Sequence, residues 1–195
     1  MNLPNKLTLS RFVLTVAFML VMFWEFPGNE SVALVLFVIA SVTDWVDGAI
    51  ARRRKLITNF GILMDPLADK ILICSAFIAF VGRGSMAAWM VVIIVARELT
   101  ITGLRLLAAT KQVVLAAEGY GKHKTISQIV AIIAILVLLS HAQWGWPGRL
   151  FAFPVFGRPW VGLFAEGAKW VAVVLTLVSG AVYLWRNRNL YLHDL

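Results

Sequence analysis

The chain has 195 residues, 61% hydrophobic and only 14% charged, with a formal net charge of +8 and a mean hydropathy of +0.84. That composition is far too apolar for a soluble domain, and the lone Cys74 excludes an internal disulfide. The basic surplus gathers in short stretches between apolar runs, a placement that fits anionic lipid headgroups and membrane orientation rather than nucleic acid.

The pattern predicts an all-α polytopic membrane protein, because helices satisfy their own backbone hydrogen bonds in lipid. One domain over residues 1–195 is expected, a bundle of six transmembrane helices behind a short N-terminal interfacial segment. In that first segment Asn5, Thr8 and Arg11 fall at i, i+3 and i+6, one polar stripe on an entry helix. Lys6 and Arg11 then precede FVLTVAFMLVMFW, which imitates a signal peptide. Glu25-Phe26-Pro27 stands where a small-x-small cleavage site would be, so an uncleaved first helix is expected.

Windows long enough to cross a bilayer cover residues 9–26, 31–51, 62–82, 86–109, 124–143 and 163–185. Lys6 and Arg11, Arg52 to Lys55, Lys111, Lys122 and Lys124, and Arg186 and Arg188 fall on one side of the resulting topology. Only Arg83, Arg149 and Arg158 fall on the other. The positive-inside rule therefore puts both termini at the cytoplasmic face. The stretch 144–162 carries Trp144, Trp146, Phe151, Phe153, Phe156 and Trp160 between prolines, and reads as an irregular segment in the outer interface.

Four of the ten acidic residues, Asp44, Asp47, Asp65 and Asp69, lie within one 26-residue stretch at the inner ends of two apolar runs. Each carboxylate costs roughly 2.5–3.5 kcal/mol at the centre of a membrane helix on insertion scales. Asp44 and Asp47 (i, i+3) share a helix face with Gly48 and Ala51, and Asp65 and Asp69 (i, i+4) share a face of the next helix. The short RRRKLITNFG connection makes these helices antiparallel neighbours, so both pairs converge at the cytoplasmic face. Four carboxylates cannot all stay ionised together without cations. Hard oxygen donors of this number suit two divalent cations, Mg²⁺ or Mn²⁺. Gly48 and Gly61 permit close approach, either by a ligand such as a nucleotide or by a neighbouring helix. Arg52 is placed to pair with phosphate.

Asp44-x2-Asp47-Gly48-x2-Ala51-Arg52-x8-Gly61-x3-Asp65-x3-Asp69 resembles the signature of the CDP-alcohol phosphotransferase family at all eight fixed positions. A chance match is on the order of 10⁻¹⁰ per start position at average residue usage. The resemblance implies a six-helix membrane domain that transfers a phosphoalcohol or phosphatidyl group from a CDP-linked donor to an alcohol and releases CMP. It implies that Asp44, Asp47, Asp65 and Asp69 bind two metals, with Asp69 also the general base. It implies further that Asp47, Gly48, Ala51, Arg52, Gly61 and Asp65 surround the nucleotide. Homodimers are common in the family.

LPNKLTLSR, ARELTITGLRLLAA and GKHKT resemble the branch of the family that joins CDP-diacylglycerol to sn-glycerol 3-phosphate. Arg97 and Arg105, at i and i+8, lie on roughly one side of an apolar helix, and an arginine inside such a helix faces a polar cavity or pairs with a neighbour such as Glu98. With Asn5, Thr8, Arg11, Lys122 and Lys124 they form the expected acceptor-phosphate set. Ordinary interfacial lysines would read the same way for Lys122 and Lys124 singly. Phosphatidylinositol-phosphate, phosphatidylserine and cardiolipin synthesis are the readings nearest to this one, although serine requires no surplus of cations. A cation transporter is the rival from another class. Transport sites, however, sit near the bilayer midplane in repeated halves, whereas this cluster lies near one face and occurs once.

Overall fold

The computed structural model describes the backbone of residues 3–54, 59–111 and 119–192. Side chains are described within those stretches except at 3–8, 44–54, 59–66, 69, 110, 119–120, 189 and 192. The described chain is all-α apart from one small hairpin. Its long helices are α1 (Leu3–Phe23), α2 (Asn29–Arg54), α3 (Asn59–Gly82), α4 (Ala88–Thr110), α5 (Gly119–Ser140) and, after the short α6 (Trp146–Phe151), α7 (Trp160–Arg186). A final turn, α8, covers Asn189–Leu192.

Each expected apolar window falls within or largely on one of the long helices. The expected separate N-terminal segment does not appear: α1 runs without interruption from Leu3, so the Asn5, Thr8 and Arg11 positions are its opening turns. Pro4 is no obstacle, because a proline in the first turn removes an amide that has no helical partner. Among the described residues two stretches are long and apolar enough to cross a membrane, Gly121–Trp144 and Trp160–Arg186. The described parts of α1, α2 and α3 contain shorter apolar stretches, Leu9–Phe23, Asn29–Thr43 and Lys70–Gly82. α4 carries Arg97, Glu98 and Arg105 within its length.

Large apolar side chains lie on the outside of the bundle while several charged ones lie within it. Val92, Leu99 and Leu106, seven residues apart on α4, are exposed, as are Val13, Val16 and Leu20 on α1 and Val171, Val174 and Val178 on α7. Arg11, Glu98, Lys124, Gln128 and Lys169 are buried. Water would penalise both halves of that arrangement, whereas a hydrocarbon surround favours it. The core supplies close packing through small residues such as Ala33, Ala40, Ala76, Ala79 and Ala131, with Phe18 and Phe37 filling the centre at a ring separation of 6.1 Å.

Side-chain contacts define two ends of the bundle. At one, Glu30 at the start of α2 accepts from Arg83 beyond α3 and from Gln143 after α5 at 3.1 Å. Lys169 in the first half of α7 donates to the Ser85 carbonyl at 2.9 Å, and Phe23 at the end of α1 lies beside Gly82. At the other end, Lys70 of α3 meets Thr102 of α4, Lys124 of α5 meets Glu98 of α4, and Arg105 of α4 meets Tyr183 of α7. The helices therefore alternate in direction, and the C-terminal part of α2 and the first turns of α1 belong to this second end.

The aromatic stretch departs from the irregular segment expected. A 3₁₀ turn at His141–Trp144 and α6 lead into a hairpin, β1 (Pro154–Val155) with β2 (Arg158–Pro159), paired antiparallel. Ring packing explains the order: Phe151 meets Trp144 at 5.4 Å and Trp160 at 6.0 Å, and the Trp160 indole donates to the Leu150 carbonyl at 2.7 Å. The hairpin turns through Phe156 and Gly157, both with positive φ (52° and 76°). That is the backbone a two-residue hairpin turn requires.

Candidate active site

Asp44 and Asp47 lie in the C-terminal part of α2, and Asp65 and Asp69 in the first half of α3. Both stretches are continuous helix, so the i, i+3 and i, i+4 spacings put each pair on one face. The backbone of Gly48, Ala51, Arg52 and Gly61 is helical too. The side chains of all eight signature positions lie outside the described residues. Two antiparallel helices thus bring the signature to the same end of the bundle, and α1 packs on both.

Beside the signature stands a buried polar network that crosses three helices. Lys70, the residue after Asp69, donates to the Thr102 hydroxyl, and that hydroxyl donates to the Glu98 carbonyl at 2.7 Å. The Glu98 carboxylate is 5% exposed and accepts from the Lys124 ammonium, itself 5% exposed. The Arg97 guanidinium approaches the same oxygen at 3.4 Å. Ion pairs this deep are retained only when their partners are well placed, since removing either one strands a buried charge. Below them Gln128 donates to Thr176 at 3.0 Å, tying α5 to α7.

Arg97 owes its position to Gly180 of α7. A Cβ at that glycine would lie 2.9 Å from the Arg97 Cγ, so a bare backbone is what lets the arginine stem lie in the α4–α7 seam. The guanidinium Nε is buried with no partner among the described residues. Arg105 is drawn away towards α7: its Nε donates to the Tyr183 hydroxyl at 3.4 Å, and the guanidinium sits 5.7 Å from that ring's centre.

The expected acceptor set therefore divides. Arg97 and Lys124 come together on Glu98. Arg11 is buried in α1 at the same end, 1% exposed. Arg105 stands apart against Tyr183, and Lys122 is exposed. The side chains of Asn5 and Thr8 lie outside the described residues. Sequence reasoning passed over Lys70, Thr102 and Glu98 as site members and treated Glu98 only as a pairing partner for Arg97. The signal was available: a carboxylate inside an apolar helix is as costly as the aspartates that drew attention.

The CDP-alcohol phosphatidyltransferase family model matches residues 1–178. The chain belongs to that family. It is 44% identical over 95% of its length, and 95% of the relative's, to the CDP-diacylglycerol–glycerol-3-phosphate 3-phosphatidyltransferase of Bacillus subtilis (strain 168). The Rickettsia bellii (strain RML369-C) protein of that same name is 33% identical over 93% of each chain. A probable phosphatidylglycerophosphate synthase of Mycobacterium tuberculosis (strain CDC 1551 / Oshkosh) is 37% identical over 95% of this chain and 81% of the relative. Membership in a lipid-synthesis family, the apolar exterior and the two span-length helices together mark a membrane protein.

Proposed function

We propose that this CDP-alcohol phosphatidyltransferase moves the phosphatidyl group of CDP-diacylglycerol to sn-glycerol 3-phosphate, giving phosphatidylglycerophosphate and CMP. The observation that carries the acceptor assignment is the buried pairing of Arg97 and Lys124 on Glu98 at the signature end. An alcohol that itself bears a phosphate needs such cations, because the aspartates nearby would otherwise repel it. The relatives that cover nearly the whole chain carry the name of this reaction.

In this reading the protein spans the membrane six times, with both termini and the active site at the cytoplasmic face of a bacterial inner membrane. The positive-inside bias supports that orientation. A homodimer is part of the same expectation. Asp44, Asp47, Asp65 and Asp69 would hold two divalent cations, Mg²⁺ or Mn²⁺, and the donor set fits: four hard carboxylates on two helices, at spacings that put each pair on one face. Bound there, the cations neutralise the pyrophosphate and the charge that develops on departing CMP. Gly48, Ala51 and Gly61 let the cytidine diphosphate approach the helices closely, and Arg52 pairs with its phosphate.

Asp69 accepts the proton of the acceptor hydroxyl. The freed oxygen attacks the β-phosphorus of the donor, the new P–O bond forms, and the bond to the CMP oxygen breaks. A carboxylate among cations is a weak base, so alignment contributes more than basicity. Lys70, bound to Thr102 directly behind Asp69, ties this part of α3 to the helix that carries Arg97 and Glu98.

Purified enzyme given CDP-diacylglycerol and one acceptor at a time tests the assignment. CMP release is expected with sn-glycerol 3-phosphate. Release with inositol phosphate or serine and none with glycerol 3-phosphate would overturn it. Gly180→Ala offers a second check, since its methyl would push on the Arg97 stem. Overpacking of this kind costs about 1–3 kcal/mol. We expect a raised KM for the phosphorylated acceptor and an unchanged KM for the donor.

A further inference from the structure

The geometry points to Glu98 as an exchangeable counter-charge of the acceptor site, a carboxylate that neutralises Arg97 and Lys124 until a phosphomonoester dianion takes its place. This rests on the proposed use of those two cations for an acceptor phosphate.

Three features carry the inference. One carboxylate oxygen of Glu98 serves both cations, so a single side chain holds the pair together across α4 and α5. The Arg97 contact, at 3.4 Å, is long for a charge-assisted bond, which closes to about 2.7–2.9 Å. It is also one-pronged, and the guanidinium Nε stays buried without a partner among the described residues. Structural arginine–carboxylate pairs frequently engage through two parallel bonds. This one is held at arm's length, with its Nε donor unpaired among the described residues. Finally, the helix backbone at Glu98 is bound through Thr102 to Lys70, adjacent to the proposed base. The helix that carries Arg97 and Glu98 is thereby tied to the α3 turn that carries Asp69.

The consequence is competition. A buried carboxylate sharing cations with an incoming phosphate repels it, and like charges brought together cost several kcal/mol. Glu98 therefore sets the affinity for the acceptor low enough to let the phosphorylated product leave, and holds a counter-charge beside the two cations when no acceptor is bound. Glu98 is a positioning residue, not a catalytic one.

Glu98→Gln tests this in the full-length enzyme in detergent or nanodiscs. Removing the competing charge is expected to lower the KM for glycerol 3-phosphate and the inhibition constant of inorganic phosphate, each by about tenfold, equivalent to 1.4 kcal/mol. The same change should lower kcat, because product is held longer, and leave the KM for CDP-diacylglycerol unchanged. A purely structural ion pair would give the opposite signature, a raised or unchanged acceptor KM with lost thermal stability, and that result would overturn the inference. If Glu98→Gln does not fold, Glu98→Asp shortens the reach by one methylene and should lower the acceptor KM by a smaller factor; an unchanged or raised KM there overturns it equally. Failure of the substrate reading looks different: wild-type enzyme would then release no CMP with glycerol 3-phosphate and be insensitive to inorganic phosphate.

Discussion

Asp69→Asn is expected to reduce CMP release by about 10²–10⁴-fold, the range that a positioned general base contributes. The amide matches the carboxylate in shape but cannot take the acceptor proton. Asp69 sits one residue before Lys70, whose bond to Thr102 anchors this turn of α3 to α4 independently of residue 69. Helix content by circular dichroism and binding of CDP-diacylglycerol should therefore persist. Turnover near the wild-type rate would remove Asp69 from the base role. The other aspartates should respond differently, since their proposed work is to hold cations. Asp44→Asn is expected to raise the Mg²⁺ or Mn²⁺ concentration needed for half-maximal activity, a shift that Asp69→Asn should show less strongly.

Arg97→Gln should raise the KM for glycerol 3-phosphate by about 10²-fold, because truncating a buried, hydrogen-bonded charge costs 2–5 kcal/mol or more and each 1.4 kcal/mol is tenfold. The fold should survive, since Lys124 still neutralises Glu98. The KM for CDP-diacylglycerol should not move. Arg105→Gln makes the instructive comparison. It is exposed and faces Tyr183 rather than the Glu98 network, so its effect on the acceptor KM should be several times smaller. Equal effects for the two arginines would mean that the acceptor phosphate sits nearer Tyr183 than the Glu98 pairing implies.

Much of the architecture was legible from residue order. Hydrocarbon tolerates a spanning backbone only when its polar groups are paired, as in a helix or a closed barrel, so long runs of apolar residues translate into helices with little ambiguity. The long helices lie where the apolar windows fall. The discrepancies come from side-chain packing. The N-terminal stripe continues into α1 because nothing between Leu3 and Phe23 breaks a helix. The 144–162 stretch is ordered by Phe151 packing edge-on to Trp144 and stacking on Trp160, contacts that proline and aromatic content alone did not reveal. For the site, a fixed spacing on regular helices is enough to place the four aspartates on two faces, since 3.6 residues per turn is a local property.

The acceptor side was legible only as a list of cations. Arg97 and Arg105 look equivalent in sequence, eight residues apart on one helix. Yet Gly180 of α7 admits the stem of Arg97 while Tyr183, three residues further on, captures Arg105. Lys124 reads as an interfacial lysine until α4 brings Glu98 against it. The sequence by itself determined the class of protein, the helical pattern and the carboxylate spacing on two successive helices. All of these follow from composition and local periodicity. Only the tertiary structure decided which cations share a counter-charge and which do not, because burial and ion pairing depend on what the neighbouring helix presents, and no spacing within one helix encodes that.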